Sequence, residues 1–475
     1  MRLDVMASEV AVAPLVCPAA PPKRPGASRP PARPSGPAPA RPTAAEPTEL
    51  PDEVEVQRAL EEELTRRPNL LEPAPAAPAA PAGPAGPAGP VAGAWPDTAS
   101  WLAPASARPV RLAFWGDSHL AAGFFTEELA RRLGPVDTLA LPRLLPAGFG
   151  HAGVRGLVRR TCVGGSWVRE SAHASAAAAQ QPGPGLVSLI SQGPGAELAW
   201  DLRDTGGEPR HRSMQLLYAA TAGPVTVDVV VDGAPARTVV LPPGPPGAAV
   251  LELTSTGGPL SVLQLRVREG ALRLQGLGVG LGMESSVGTP VDTASATSAP
   301  LQIDLFGYPG ATVAGWANAA GSAHSAWFSA RRYDVVALAY GTNEANDPGF
   351  RVEEYRAQLR RAVDQLRERF PEARCLLIAP GDRGVRVPRK RSGSRTDLLR
   401  FARLHAQIAA VQQDVARAAG CAAWSAQAAM GGAGSAYRWA RQQPAWMAPD
   451  LIHFTPAGYR ELARRLAADL GWTPR

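Results

Sequence analysis

The stretch "VRLAFWGDSHLAAGFFTEELARRLG", Val110–Gly134, carries a strand, a turn and a helix in one line. "VRLAFWGD" is a short apolar run closed by Gly-Asp, the pattern of a strand buried on both faces. "FFTEELARRLG" repeats apolar residues at helical spacing and stops at Gly134. Between them stands Ser118. Its oxygen has two uses: to cap the helix by accepting from a first-turn amide, or to attack an electrophile with the help of a base. Local chemistry favours the cap, and only the rest of the chain can decide.

Working outward, the alternation continues. "YDVVALAYG" (333–341) and "ARCLLIAPG" (373–381) are short apolar strands, followed by long helical patterns over 351–369 and 395–419. "AGYRELARRLAADLG" (457–471) is a closing helix. Short apolar strands separated by helices predict a parallel sheet covered on both faces, a three-layer α/β/α domain. Between the first strand and the later ones the texture changes. "ELAWDL", "MQLLYAA", "VTVDVVVDG", "ARTVVLPP", "AVLELT" and "VLQLRV" are close-set strand patterns joined by Gly, Pro and Asp. They predict an inserted antiparallel β-sandwich over 193–283, dividing the α/β domain into 108–192 and 284–475. The chain has 49 prolines, of which 24 precede Val110. A segment such as "PAPAAPAAPAGPAGPAGPVAG" has almost nothing to bury, so residues 1–107 read as a disordered Pro/Ala-rich linker. Within it, "PDEVEVQRALEEELTRR" has helical charge patterning and reads as a solvated, transient helix.

The formal charge of +7 does not imply nucleic acid. Only Lys23 and Lys390 are lysines, and most arginines alternate with Asp and Glu on helical segments, the pattern of a salt-bridged solvent face. The dense run "RGVRVPRKRSGSR" (383–395) reads as a solvated loop. Cys17, Cys162, Cys375 and Cys421 show neither paired spacing nor a CxxC, so neither a disulfide framework nor a zinc site is expected. No run of 18 apolar residues exists to span a membrane, and "VAVAPLVC" makes a poor signal peptide.

A serine nucleophile needs a base, a carboxylate to hold that base, and donors aimed at the oxyanion. "PDLIHFTPAGY" sets Asp450 three residues before His453. "DLFGYPGATVAGW" ends a strand in a turn at Gly310, where a bare backbone amide can face a site. "GTNEAND" follows another strand and carries Asn343, whose side-chain amide is a possible donor. All lie at the C-terminal ends of predicted strands or in loops on that side, where open parallel sheets hold their ligands. Taken singly, Asp450 is a helix cap, His453 a surface residue, Gly310 a turn glycine and Asn343 a loop shaper. His119 adjoins the serine and reads as a first-turn structural residue. His151, His173, His211, His324 and His405 form no ligand spacing. A GxSxG elbow, an HExxH helix and a GxxxxGK[ST] loop are all absent from the sequence.

GDS, a turn Gly, GTN and DxxH, in that order, resemble the four blocks of the SGNH hydrolases, also called GDSL esterases. The resemblance implies Ser118 as nucleophile, Asp450 and His453 as the rest of a catalytic triad, and an oxyanion hole from the Ser118 amide, Gly310 and Asn343. It implies no metal and no cofactor. GDSH in place of GDSL, GTNE in place of GxND, "YPGAT" and an insertion between the first two blocks are similar to peptidoglycan O-acetylesterases with a carbohydrate-binding-like sandwich. That implies removal of acetyl from the C6 oxygen of muramic acid through an acetyl-serine, in the periplasm or cell envelope. An esterase or acetyltransferase for another polysaccharide, a lipid esterase and a non-catalytic glycan-binding protein are the alternatives. Between Asp201 and Leu305 the only aromatic is Tyr218, so the insertion is expected to shape the cleft rather than bind glycan by stacking.

Overall fold

A computed structural model describes residues 1–7, 15–17, 48–66, 97–102, 110–134, 144–155, 159–174, 182–203, 207–245, 247–279, 301–319, 326–328, 331–388 and 396–473. The apolar runs of the α/β domain form one five-stranded parallel sheet. Its spatial order is Leu301–Gly307, Val110–Gly116, Val335–Ala339, Arg374–Ala379, Ala422–Ser425. Val110–Gly116 lies second in that order, with Leu301–Gly307 and Val335–Ala339 in register on either side. Because side chains alternate along a strand, Leu112 and Phe114 pack under Phe124–Leu133 and Pro456–Asp469. Ala113 and Trp115 face the opposite core, with Val352–Arg369 and Arg400–Ala419. This is the expected three-layer α/β/α arrangement.

After Phe124–Leu133 the chain leaves this domain, builds the β insertion, and returns at Leu301 to pair beside the strand it left. The insertion is two packed sheets around one apolar core, with alternation clearest in Val225–Val231, whose odd-numbered valines are buried. It begins earlier than the boundary at 193 drawn from the sequence. Leu144–Pro146, Arg160–Gly164, Trp167–Ser171 and Val187–Ser191 are all strands of its two sheets. Arg160–Gly164 and Trp167–Ser171 are polar or glycine-bearing and bury few side chains. Their pairing rests on backbone hydrogen bonds, which leave no hydrophobic period in the sequence.

Residues 1–107 are likewise not linker throughout. Arg2–Val5 adds a parallel edge strand to the insertion beside Glu252–Ser255. Glu53–Arg66 is a helix whose Val56 is buried against Leu398, Tyr437 and Leu451. Neither piece has enough apolar surface to fold alone, so partners distant in sequence order them. The Pro/Ala repeats between them lie outside the described residues.

The cysteines are the third correction. Cys17 joins Cys162 and Cys375 joins Cys421, with Cα atoms 5.3 and 4.8 Å apart. The partners are 145 and 46 residues apart in sequence, so only the fold brings them together. Two disulfides fit a protein that matures in an oxidising compartment. Among the described residues, no helix is long and apolar enough to cross a membrane.

Candidate active site

The strand Val110–Gly116 ends in Gly116-Asp117-Ser118, and the question of the cap is settled by Asp117. Its carboxylate accepts from the His119 amide at 2.9 Å and caps the short helix Ser118–Ala121. Ser118 is therefore released from capping. As the first residue of its helix, it also presents an amide with no intrahelical acceptor. Gly307, at the end of the neighbouring strand, permits this placement, because a Cβ there would run into the backbone of Ala121.

The Ser118 hydroxyl lies 2.9 Å from His453 Nε2, and His453 Nδ1 donates to Asp450 Oδ2 at 2.7 Å. With Nδ1 carrying its proton toward the carboxylate, Nε2 is left to accept from serine. The other Asp450 oxygen accepts from the Ile452 and His453 amides, each at 2.9 Å. Burial by itself raises the Asp450 carboxyl, but the His453 ring and these two amides outweigh it and hold it below the usual carboxylate range. The loop reaches this shape through Leu451, which has φ of +58° and a side chain only 1 % exposed. A non-glycine residue in the left-handed region costs roughly 1–2 kcal/mol, so the anchoring of the Leu451 side chain bears on the geometry of both neighbours.

Gly310 lies in the left-handed region at φ +78°, where a side chain would be strained, and a Cβ there would meet open space. The turn Tyr308–Val313 is tied to the next strand's loop by two bonds. Asn343 Nδ2 donates to the Ala311 carbonyl at 2.9 Å, and the Val313 amide donates to Glu344 Oε1 at 2.8 Å. Ser118, His453 and Asp450 thus form one hydrogen-bonded chain, while the turn that carries Gly310 is tied to the Asn343-Glu344 loop through Ala311 and Val313.

Beneath these groups lies a layer of buried ionisable side chains. Asp117 is 2 % exposed; burial pushes its carboxyl up to about 6 against the opposing pull of the His119 amide and the Thr342 hydroxyl. Burial also raises Glu344 to about 7, and its Oε2 has no partner among the described residues. His119 packs at the site. Its ring is 5.4 Å from that of His453, the Tyr459 hydroxyl is 3.3 Å from its Nδ1, and burial depresses it to about 3. It is a neutral ring packed beside the His453 imidazole. His173 is half-buried and His405 buried, with Nδ1 facing the carbonyls of Thr312 and Gly381, at 2.9 and 2.6 Å. His324 lies outside the described residues. Among the described residues, no group of three or more His, Cys, Asp or Glu is placed to hold a metal ion.

Asp117, Glu344 and Leu451 are the contributors that sequence reading passed over. Asp117 stood inside GDSH as an ordinary letter of its block, and Glu344 inside GTNE as a block variant. A buried carboxylate beside a strand end is recognisable only when its burial is known.

Residues 275–461 match the GDSL-like Lipase/Acylhydrolase family. That span holds Gly310, Asn343, Asp450 and His453 but not Ser118, which the insertion separates from it. No curated protein sequence matches the chain. Among solved structures, a peptidoglycan O-acetylesterase "in action" is similar at 22 % identity and a TM-score of 0.55, over 77 % of this chain and 91 % of that one. A Corynascus thermopiles (Myceliophthora fergusii) carbohydrate esterase family 2 enzyme with a carbohydrate-binding domain is similar at 13 % identity and a TM-score of 0.25, over 59 % and 94 %. The former likeness covers more of this chain than the α/β domain supplies, so the fold is shared through the insertion as well. The match over residues 275–461, in which four of the five site residues lie, is to the GDSL-like Lipase/Acylhydrolase family, and it marks this protein as an esterase.

Proposed function

We propose that this esterase removes O-acetyl groups from a glycan, with the muramic acid C6 O-acetyl of peptidoglycan as substrate. The observation that carries the reading is the chain Ser118–His453–Asp450, with contacts of 2.9 and 2.7 Å. The substrate class draws support from the fold shared with a peptidoglycan O-acetylesterase across both domains.

In this reading Ser118 Oγ attacks the acetyl carbonyl carbon while its proton passes to His453 Nε2. Asp450 holds the imidazole in orientation and stabilises the imidazolium. The Ser118 and Gly310 amides and the second Asn343 side-chain N–H face the oxyanion. Collapse breaks the ester C–O bond, the sugar oxygen leaves with the proton from His453, and an acetyl-serine remains. Water, deprotonated by His453, then attacks that acyl group and releases acetate with Ser118 restored. The two disulfides suit action outside the cytoplasm, in the periplasm or cell envelope where this polymer lies.

The test is acetate release by the full chain from O-acetylated peptidoglycan, beside an aryl acetate and a long-chain ester, with Ser118→Ala as control. Release from the polymer that disappears in Ser118→Ala supports the proposal. Aryl acetate cleavage with no acetate from the polymer overturns the substrate. Preference for the long-chain ester points instead to a lipid esterase.

A further inference from the structure

The Asp450–His453 loop rests on residues from near the other end of the chain. Leu451, the left-handed residue between the proposed acid and base, packs its side chain with Val56, Leu398 and Tyr437. Val56 belongs to the helix Glu53–Arg66, and Ala59 and Leu60 border the same cluster.

A second, polar connection runs parallel to this one. Arg386, from the basic run that reads in sequence as a solvated loop, donates from Nη1 to the Pro449 carbonyl at 3.1 Å. From Nη2 it donates to the Thr48 carbonyl at 2.8 Å. One guanidinium therefore joins the residue before Asp450 to the segment that leads into the helix. Thr48–Glu49 also pairs antiparallel with Val387–Pro388, and Arg441 donates to the Pro51 carbonyl at 2.5 Å. At the helix's far end, Arg403 pairs with the buried Glu63 at 3.1 Å. Lys390 and the rest of the basic run to 395 lie outside the described residues.

We infer that residues 48–66 are a positioning element of the active site. Docked, they hold Leu451 and Pro449 so that Asp450 keeps its bond to the His453 ring. The inference rests on the reading of Asp450 and His453 as catalytic. Asp450 and His453 are 46 % and 40 % exposed, so solvent offers their outer side no support. What fixes them is the loop's own amides and the inward anchor of Leu451. Undocking the helix frees Leu451 to leave the left-handed region, and that rotation carries the carboxylate away from the ring. Neither the Gly310 turn nor Asn343 touches this segment in any of these contacts. The loss therefore falls on kcat, with KM for a small ester nearly unchanged.

The test is steady-state hydrolysis of an aryl acetate by full-length Val56→Asp/Leu60→Asp, beside Val54→Asp, whose position is 75 % exposed on the same helix. Expected is a fall in kcat of about tenfold or more with KM held within about twofold. Val54→Asp and the conservative Val56→Ile should keep the parental rate. Wild-type kcat in the double variant overturns the inference. Should that variant fail to fold, Val56→Ala replaces it: a drop of about two- to fivefold in kcat is expected. Unchanged kcat with only a lower melting temperature overturns the inference. Asp450→Ala, run in parallel, separates the two levels. Full activity there would bring down the triad reading itself, whatever the helix variants do.

Discussion

Asp117 and Asp201 are both 2 % exposed, one at the end of the parallel sheet and the other in the β insertion, and they are kept in opposite ways. Asp201 faces Arg203, which donates to its two oxygens at 2.7 and 2.6 Å. Burial opposes its charge, but that pair prevails and the carboxyl lies below its ordinary value. Asp117 has no arginine partner among the described residues, and burial lifts it to about 6 against the pull of the His119 amide, the Thr342 hydroxyl and the nearby His453 ring. Glu344 and Asp382, also at the C-terminal end of the sheet, are raised in the same way, to about 7 and about 6. The insertion pairs its buried charge, as a domain selected for packing does. The site end of the sheet keeps carboxyls that burial raises and that no salt bridge pairs among the described residues, and such perturbed groups gather where chemistry is done.

Substitutions at the two ends should break along this line. Ser118→Ala should lower turnover of an acetyl ester by about 10³-fold or more while changing stability by less than about 0.5 kcal/mol. Single-turnover acetate release and thermal unfolding of the same preparation measure both. Loss of fold instead of loss of rate would mean that the site end, too, is built for stability. Arg203→Ala should do the reverse. It leaves Asp201 buried without its partner, at a cost of about 3–5 kcal/mol, read by urea denaturation, with kcat of the folded fraction unchanged.

Acidity gives a subtler contrast. Glu344 has a folded-state value of about 7, above its ordinary 4.5, so between those values the native protein holds a proton that the unfolded chain has released. Native stability must then fall as pH rises through that window. Glu344→Gln removes this titration and should flatten the decline between pH 5 and 8 by about 1–3 kcal/mol. Asp201 is shifted the other way, so its contribution is present above the ordinary carboxylate value and fades only as pH falls below it. A parallel decline in wild type and Glu344→Gln would remove Glu344 from the account. The smallest effect is expected at Gly310→Ala, where the left-handed backbone costs about 1 kcal/mol and the open space admits the methyl group. Differential scanning calorimetry resolves a change of that size.

Legibility followed the same division of physics. The parallel sheet was readable because strands buried on both faces are apolar without interruption, as in "VVALA" and "CLLIA". Ser118, Gly310 and Asn343 stood out because each follows a strand pattern, and Asp450 and His453 because they stand three apart just before the closing helix. The polar strands Arg160–Gly164 and Trp167–Ser171 were not, since their pairing is made by backbone groups that every residue shares. Nor were the partners of the cysteines, which depend on how far apart the fold places them. Asp117 appeared as one letter of a block, and its capping of the Ser118 helix emerged only with the turn in three dimensions.

The sequence by itself determined the α/β core, the presence of an insertion and the residue types offered to the site, because hydrophobic period and strand-end position are local properties. Tertiary structure alone decided that Asp117 rather than Ser118 caps the helix and that burial raises the Glu344 and Asp117 carboxyls. It alone decided that Val56 comes to rest against Leu451. These are matters of burial and of contact between distant segments, and neither is written in the spacing of a single chain.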